Sequence, residues 1–182
     1  MAQSILALDD EPHMLRLLER IITEKTPYRI STTDNPLELP GLLEKDTYDL
    51  VITDLKMPGM DGLDVLRLLK EKNRPEEVII ITAFGSMETA IEALSLGVFD
   101  YLTKPFKKEQ IIFTVDRAMR WQRLKRSEAE LSAIFDKEPF EEARASFQRE
   151  YLRRLSRRAG TDVEVLSGRC GLPADIIADA LS

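Results

Sequence analysis

Short apolar runs alternate with helical stripes through the first two thirds of the chain. Residues 4–8 run Ser-Ile-Leu-Ala-Leu, predict a buried strand, and stop at three acids, Asp9, Asp10 and Glu11. Pro12 is a helix-start residue, and Leu15, Leu17, Leu18, Ile21 and Ile22 give the helix after it a broad apolar stripe. Residues 29–32 predict a short second strand. Asp34, Asn35 and Pro36 announce a helix, but Pro40 and Gly41 interrupt it, so a short or displaced helix is expected. Leu50, Val51 and Ile52 form a third strand that delivers Asp54 and then meets the breaker pairs Pro58-Gly59 and Asp61-Gly62. Leu63, Val65, Leu66, Leu68 and Leu69 mark a helix that closes near Asn73, Arg74 and Pro75. The most apolar strand spans residues 78–82 and ends in Thr82. Ser86 begins a helix carrying Ala90, Ile91, Ala93 and Leu94, which ends at Gly97. Residues 99–103 read as a fifth strand before Lys104, Pro105 and Phe106. A helical pattern then starts near Lys108 and meets no breaker until Pro139. Strands alternating with helices at this spacing predict an α/β protein with a doubly wound, five-stranded parallel sheet.

In a parallel sheet all strand ends of one kind share an edge, and ligands bind outside the carboxyl edge. Here that edge gathers Asp9 and Asp10, then Asp54, Thr82 and Lys104. Charges at the end of an apolar sheet require partners or a metal. Two or three carboxylates suit a hard, oxygen-seeking divalent ion such as Mg2+. With a lysine and a hydroxyl beside them, they describe a site for a phosphoryl group.

Composition narrows the field without changing this picture. The 182 residues are 43% hydrophobic and 32% charged, as expected of a soluble globular chain. No apolar run approaches the roughly 20 residues of a membrane helix, and the first residues lack the basic and apolar regions of a signal peptide. A single cysteine, Cys170, excludes an internal disulfide and fits a reducing, cytoplasmic setting. The net charge of −6 means that any nucleic-acid contact needs a local basic patch. His13, the only histidine, reads as a surface residue, Met57 and Met60 as loop packing, and Cys170 as a small buried apolar residue.

The segments at residues 8–12 (Leu-Asp-Asp-Glu-Pro), 51–62 (Val-Ile-Thr-Asp-Leu-Lys-Met-Pro-Gly-Met-Asp-Gly), 81–83 (Ile-Thr-Ala) and 100–106 (Asp-Tyr-Leu-Thr-Lys-Pro-Phe) closely resemble the receiver domain of two-component response regulators, in that family's order. The resemblance implies a flavodoxin-like sheet of order 2-1-3-4-5. It implies that Asp54 is the phosphoacceptor for a sensor histidine kinase. It also implies that Asp10, Asp54 and the backbone carbonyl of Lys56 bind Mg2+, with Asp9 acting through a coordinated water. Thr82 and Lys104 are expected to hold phosphoryl oxygens, Tyr101 to be the switch aromatic that follows Thr82, and the bond before Pro105 to be cis. Lys56 and Phe84 border the expected phosphoryl position.

Three parts are expected: a receiver over residues 1–121, a helical linker over 122–138 and a small all-α module over 139–182. Val115, Ala118, Met119, Leu124, Leu131, Ile134 and Phe135, with Trp121, suggest a helix seam that either pairs with a second copy, making a homodimer, which is favoured, or folds back on the receiver. Arg117, Arg120, Arg123, Lys125 and Arg126 read as a solvated face. Beyond Pro139, residues Phe140, Ala143, Phe147, Tyr151, Leu152 and Leu155 recur at helical spacing. Gly160 closes that helix, Asp162 opens a second, and Gly171-Leu172-Pro173 turns into a third. These residues resemble the Fis-like helix-turn-helix of nitrogen-regulator-type response regulators. The sequence contains no Gly-x-x-x-x-Gly-Lys-Ser/Thr loop, so ATP-driven activation is not expected of it. The third helix carries Asp175 and Asp179 and no basic residue, which opposes contact with a phosphate backbone. Arginines 149, 153, 154, 157 and 158 lie on the helix before. Two outputs follow from the residues: protein interaction or dimerisation through a degenerate module, and DNA-binding transcription regulation. The acidic third helix favours the first. An independent hydrolase is not expected, since only one nucleophile is present.

Overall fold

The computed structural model describes residues 3–135 and 140–181. Five parallel strands, β1 (Ser4–Leu8), β2 (Arg29–Thr33), β3 (Leu50–Thr53), β4 (Glu77–Thr82) and β5 (Asp100–Thr103), pair in the order β2-β1-β3-β4-β5. The order reverses beside β1, so β1 and β3 flank the switch point where α/β sheets open a crevice.

Strand alternation explains the layers. Leu6, Leu8, Val51, Val78 and Ile80 face one side, where Leu39, Leu43, Leu63, Val65, Leu66 and Leu69 pack on them. Ile5, Ala7, Leu50, Ile52, Ile79 and Ile81 face the other, against Leu15, Leu18, Ile22, Ile111, Val115 and Met119. Two buried faces account for the near-continuous apolar strands. Each fully buried Leu or Ile contributes about 1.5–3 kcal/mol of transfer free energy, so this frame is held firmly.

The helices are α1 (Pro12–Lys25), α2 (Leu39–Lys45), α3 (Gly62–Glu71), α4 (Met87–Ser95) and α5 (Lys108–Phe135). In α1 the inward residues are Met14, Leu15, Leu18, Ile21 and Ile22; Leu17 is on the exposed side. The Pro40-Gly41 pair does not end a helix. A 3-10 turn at Pro36–Glu38 precedes α2, and Pro40 lies in the first turn of α2, where its missing N–H costs nothing. Helix α3 starts with a reciprocal capping box between Asp61 and Asp64. In α4 only Ala93 is fully buried, while Ile91 and Leu94 are exposed.

The chain divides into two compact units, Met1–Arg123 and Leu124–Ser182, and α5 runs through the division without a break. Val115, Ala118 and Met119, expected on a pairing seam, are instead part of the receiving core under the sheet. Buried Gln122 ends this section by donating to the carbonyl of Asp49 at 2.9 Å and to that of Pro75. Arg117 is not simply solvated: it pairs with Asp100 at 2.6 Å and lies over the rings of Phe99 and Phe113.

In the second unit, α6 (Phe140–Ala159), α7 (Val163–Cys170) and α8 (Ala174–Leu181) enclose a small core of Leu152, Leu166 and Ile177, with Leu155, Val163, Cys170, Leu172 and Leu181 partly buried around it. Asp162 caps α7 by accepting the amides of Glu164 and Val165. Gly171, with φ of +70°, turns the chain towards α8, and Ser167 steadies the turn through the Leu172 carbonyl at 2.8 Å. Phe147 and Tyr151 stack on each other at the surface instead of entering the core. Arg153 and Arg154 reach across to Glu130, and Arg154 also to the carbonyl of Ser127, so α6 covers part of the linker end of α5 within the same chain. Residues 136–139, including Pro139, lie outside the described residues, as do the side chains of Ile134, Phe135, Phe140 and Arg158.

Candidate functional site

The carboxyl edge of the sheet brings Asp9, Asp54 and Lys104 into contact, with Thr82 at the end of the neighbouring β4. Asp54 follows β3 directly, and its amide still donates to the Leu8 carbonyl at 3.0 Å, so its backbone is fixed by the β1–β3 ladder. Beneath it, the first residue of α3 must be glycine. A Cβ on Gly62 would lie 2.5 Å from the Asp54 carbonyl oxygen, well inside contact distance. Lys104 is tied to β4 by its amide, which donates to the Thr82 carbonyl at 2.7 Å. The Lys104–Pro105 peptide bond is cis.

The Lys104 ammonium donates to Asp9 Oδ2 at 2.8 Å and stands 3.4 Å from Asp54 Oδ1 and 3.6 Å from Glu11 Oε1. The other oxygen of Asp9 accepts the Glu11 amide at 2.9 Å, and Asp54 Oδ2 accepts the Lys56 amide at 3.2 Å. Asp54 Oδ1 is buried without a hydrogen bond, and its nearest cation is the Lys104 ammonium at 3.4 Å. A buried carboxylate oxygen without a partner is costly in an apolar setting.

Electrostatics follow from burial. Burial pushes the Asp54 carboxyl above its ordinary range. The Lys104 charge opposes this, Asp9 adds to it, and the Lys56 amide pulls back. Lys104 also suffers desolvation, but its hydrogen bond to Asp9 and the fields of Asp9, Asp54 and Glu11 prevail, so its pKa is raised and it stays cationic. Thr82 is fully buried, and its hydroxyl accepts the Phe84 amide at 3.0 Å. Phe84 itself and the Lys56 side chain are exposed beside the site. Tyr101 is half-buried, with its hydroxyl 3.1 Å from Thr89 Oγ1.

Asp10 is exposed at the rim, apart from the contacts above. Among the described residues no three acid, histidine or cysteine side chains already converge as a metal cluster. The donor chemistry nevertheless fits a hard cation: the buried carboxylates of Asp9 and Asp54 beside the exposed acid Asp10. His13 is exposed and pairs with Glu11 at 3.3 Å. Met57 is buried in the core and Met60 packs against it. Two members of this neighbourhood are not evident from pattern alone. Glu11 shows only as one acid in a run, and Thr89 only as the residue three after Ser86, with nothing in the sequence linking it to Tyr101.

Relatives match the first unit, and one of them nearly the whole chain. The response regulator protein PilR of Pseudomonas aeruginosa is 36% identical over 132 residues, covering 72% of this chain and 29% of its own. The C4-dicarboxylate transport transcriptional regulatory protein DctD of the same organism is 33% identical over 120 residues, 66% of this chain and 26% of its own. Transcriptional regulatory protein GlrR of Escherichia coli is 32% identical over 181 residues, 97% of this chain and 38% of its own. The chain thus spans well under half the length of these curated relatives. Among solved structures, a response regulator receiver domain protein from Clostridium thermocellum superposes with a TM-score of 0.62 at 31% identity, over 67% of this chain and 98% of its own. A signal receiver domain from Vibrio parahaemolyticus gives 0.66 at 27%, over 69% and 95%. With residues 5–116 matching the response regulator receiver domain, over a sheet of order 2-1-3-4-5 that presents the acids and lysine described above, the chain belongs to the response regulator receiver family.

Proposed function

We propose that this chain is a two-component response regulator in which Asp54 accepts a phosphoryl group from a histidine kinase, with Mg2+, and passes the change to its C-terminal helices. Receiver domains are phosphoacceptor regulators, not catalytic enzymes, and they typically use Mg2+ and a cognate kinase. The observation that carries the proposal is the buried Oδ1 of Asp54, which has no hydrogen bond and stands 3.4 Å from the Lys104 ammonium.

That oxygen attacks the phosphorus of a phosphohistidine, the new O–P bond forms as the P–N bond breaks, and the imidazole leaves with the electron pair. Lys104 then turns from two carboxylates to a phosphoryl oxygen, for which its raised pKa keeps it charged. Thr82 exchanges the Phe84 amide for another phosphoryl oxygen, and Tyr101 follows the vacated space. Asp10, Asp54 and the Lys56 carbonyl would hold Mg2+, with Asp9 acting through water. Bound there, the ion supplies charge neutralisation between the carboxylates and the phosphoryl oxygens.

We read residues 1–121 as receiver, 122–138 as linker and 139–182 as output, working in the cytoplasm. Protein interaction is the favoured output. Arg153 and Arg154 are engaged by Glu150 and Glu130, which removes two of the cations that a DNA contact needs, and the sequence of α8 contains no basic residue. Exposed Trp121 and Leu124 on α5 support pairing of that helix with a second copy. DNA binding is the second reading, supported by the turn at Gly171 between two short helices.

Acetyl phosphate with Mg2+ should place one hydroxylamine-sensitive phosphoryl group on the chain, seen by intact mass, and Asp54→Asn should abolish it. Stoichiometric labelling of that variant would sink the assignment. A duplex-DNA mobility shift at low salt, with and without phosphorylation, decides the output: binding that weakens steeply with salt would favour DNA.

A further inference from the structure

The loop between β4 and α4 is held by a threonine at each end. At its start the Thr82 hydroxyl accepts the Phe84 amide at 3.0 Å. At its end Thr89 closes the first turn of α4. Its hydroxyl accepts the Ser86 amide at 3.0 Å and donates to the Ser86 carbonyl at 3.0 Å, while its own amide donates to Ser86 Oγ at 3.2 Å. A hydroxyl has one proton and two lone pairs. With its proton given to the Ser86 carbonyl, Thr89 accepts the hydroxyl proton of Tyr101, 3.1 Å away on β5. The ring sits in a notch that a glycine leaves open: a Cβ on Gly85 would come within 3.1 Å of the Tyr101 hydroxyl and 3.2 Å of the ring.

We propose that Thr89 is a positioning residue of the switch, latching Tyr101 to the α4 cap so that Tyr101 cannot leave its present place without loosening the first turn of α4. The loop of residues 83–86 lies between the two threonines, and Thr82 must release Phe84 to reach a phosphoryl group. The latch therefore opposes that movement and sets the threshold of the response. This rests on Asp54 being the phosphoacceptor. By reciprocity, weakening the state that does not favour the ligand tightens ligand binding.

The test uses the full chain and beryllofluoride with Mg2+ as phosphoryl mimic, followed by NMR of the Tyr101 ring. Thr89→Val removes the hydroxyl, Thr89→Ser keeps it, and Tyr101→Phe breaks the same bond while leaving the α4 cap intact. Half-saturation in Thr89→Val and Tyr101→Phe should fall by about 2- to 10-fold, the effect of one net hydrogen bond, with Thr89→Ser returning to the parent value. Unchanged or weaker binding in Thr89→Val, or a serine variant that behaves like valine, overturns the latch. A parent protein that takes no beryllofluoride defeats the phosphoacceptor assignment instead. The latch is then judged without ligand. Tyr101 ring resonances displaced in Thr89→Val but not in Thr89→Ser support it, and indistinguishable spectra reject it.

Discussion

The two compact units solve the burial problem differently. The first sandwiches its sheet between two apolar layers and so can hold buried charges, Asp9, Asp54 and Lys104, in fixed positions at its edge. The second closes three helices over Leu152, Leu166 and Ile177, leaves Phe147 and Tyr151 at the surface, and pairs Arg153 and Arg154 with Glu150 and Glu130. A large core can sustain a desolvated site, because the surplus stability of the sheet offsets its cost. The described core of the second unit is far smaller and leaves less surplus to offset a buried charge.

The contrast breaks most sharply in the second unit. Leu166→Ala should cost about 2–5 kcal/mol and unfold α6–α8, while labelling of Asp54 by acetyl phosphate persists. Circular dichroism alongside intact mass checks this, and loss of both together would show that the units are not independent. Gly62→Ala acts on the first unit. The added Cβ meets the Asp54 carbonyl at 2.5 Å, so a cost of about 1–3 kcal/mol is expected, with slower labelling because the backbone of Asp54 must shift. Urea unfolding and labelling rate measure the two effects; an Ala variant equal to the parent in both would show that α3 is not pressed against the site.

The smallest effect is a matter of pH. Burial raises the Asp54 pKa in the folded state above its ordinary 3.8, so between those two values the folded protein binds more protons than the unfolded chain. Stability therefore falls as pH rises through this window. The penalty of the charged carboxylate is fully present above the folded pKa and absent below 3.8. Asp54→Asn removes it and should raise the melting temperature at pH 7 by about 2–5 °C, a gap that closes as pH falls towards 4. A variant that melts lower than the parent at pH 7 would mean that the Lys104 attraction outweighs desolvation. Lys104 has the opposite profile. Its raised pKa means that its contribution is complete below 10.5 and is lost only as pH rises through the folded value.

Pattern along the chain carried most of the first unit. Strands that end in Asp9, Asp54 and Thr82, with Lys104 after β5, leave few topologies in which those residues are not neighbours. Pattern did less well where an apolar residue has two possible destinations. Leu17, Ile91 and Leu94 sit on helical stripes yet face outward, and Val115, Ala118 and Met119 face the sheet and not a second helix. Periodicity states which residues share a face, but not which faces find a neighbour.

What the amino-acid sequence determined by itself is therefore the parallel sheet, its order of elements and the set of polar groups at one edge, because these depend on local propensity and on apolar runs of fixed length. Only the tertiary structure decided how those groups divide their bonds. Lys104 engages Asp9 more closely than Asp54, Glu11 joins the cluster, one oxygen of Asp54 is left without a hydrogen bond, and Thr89 meets Tyr101 across two strand-helix units. Such choices are settled at distances of a few tenths of an ångström between residues far apart in the chain, where packing and desolvation compete and no local pattern records the outcome.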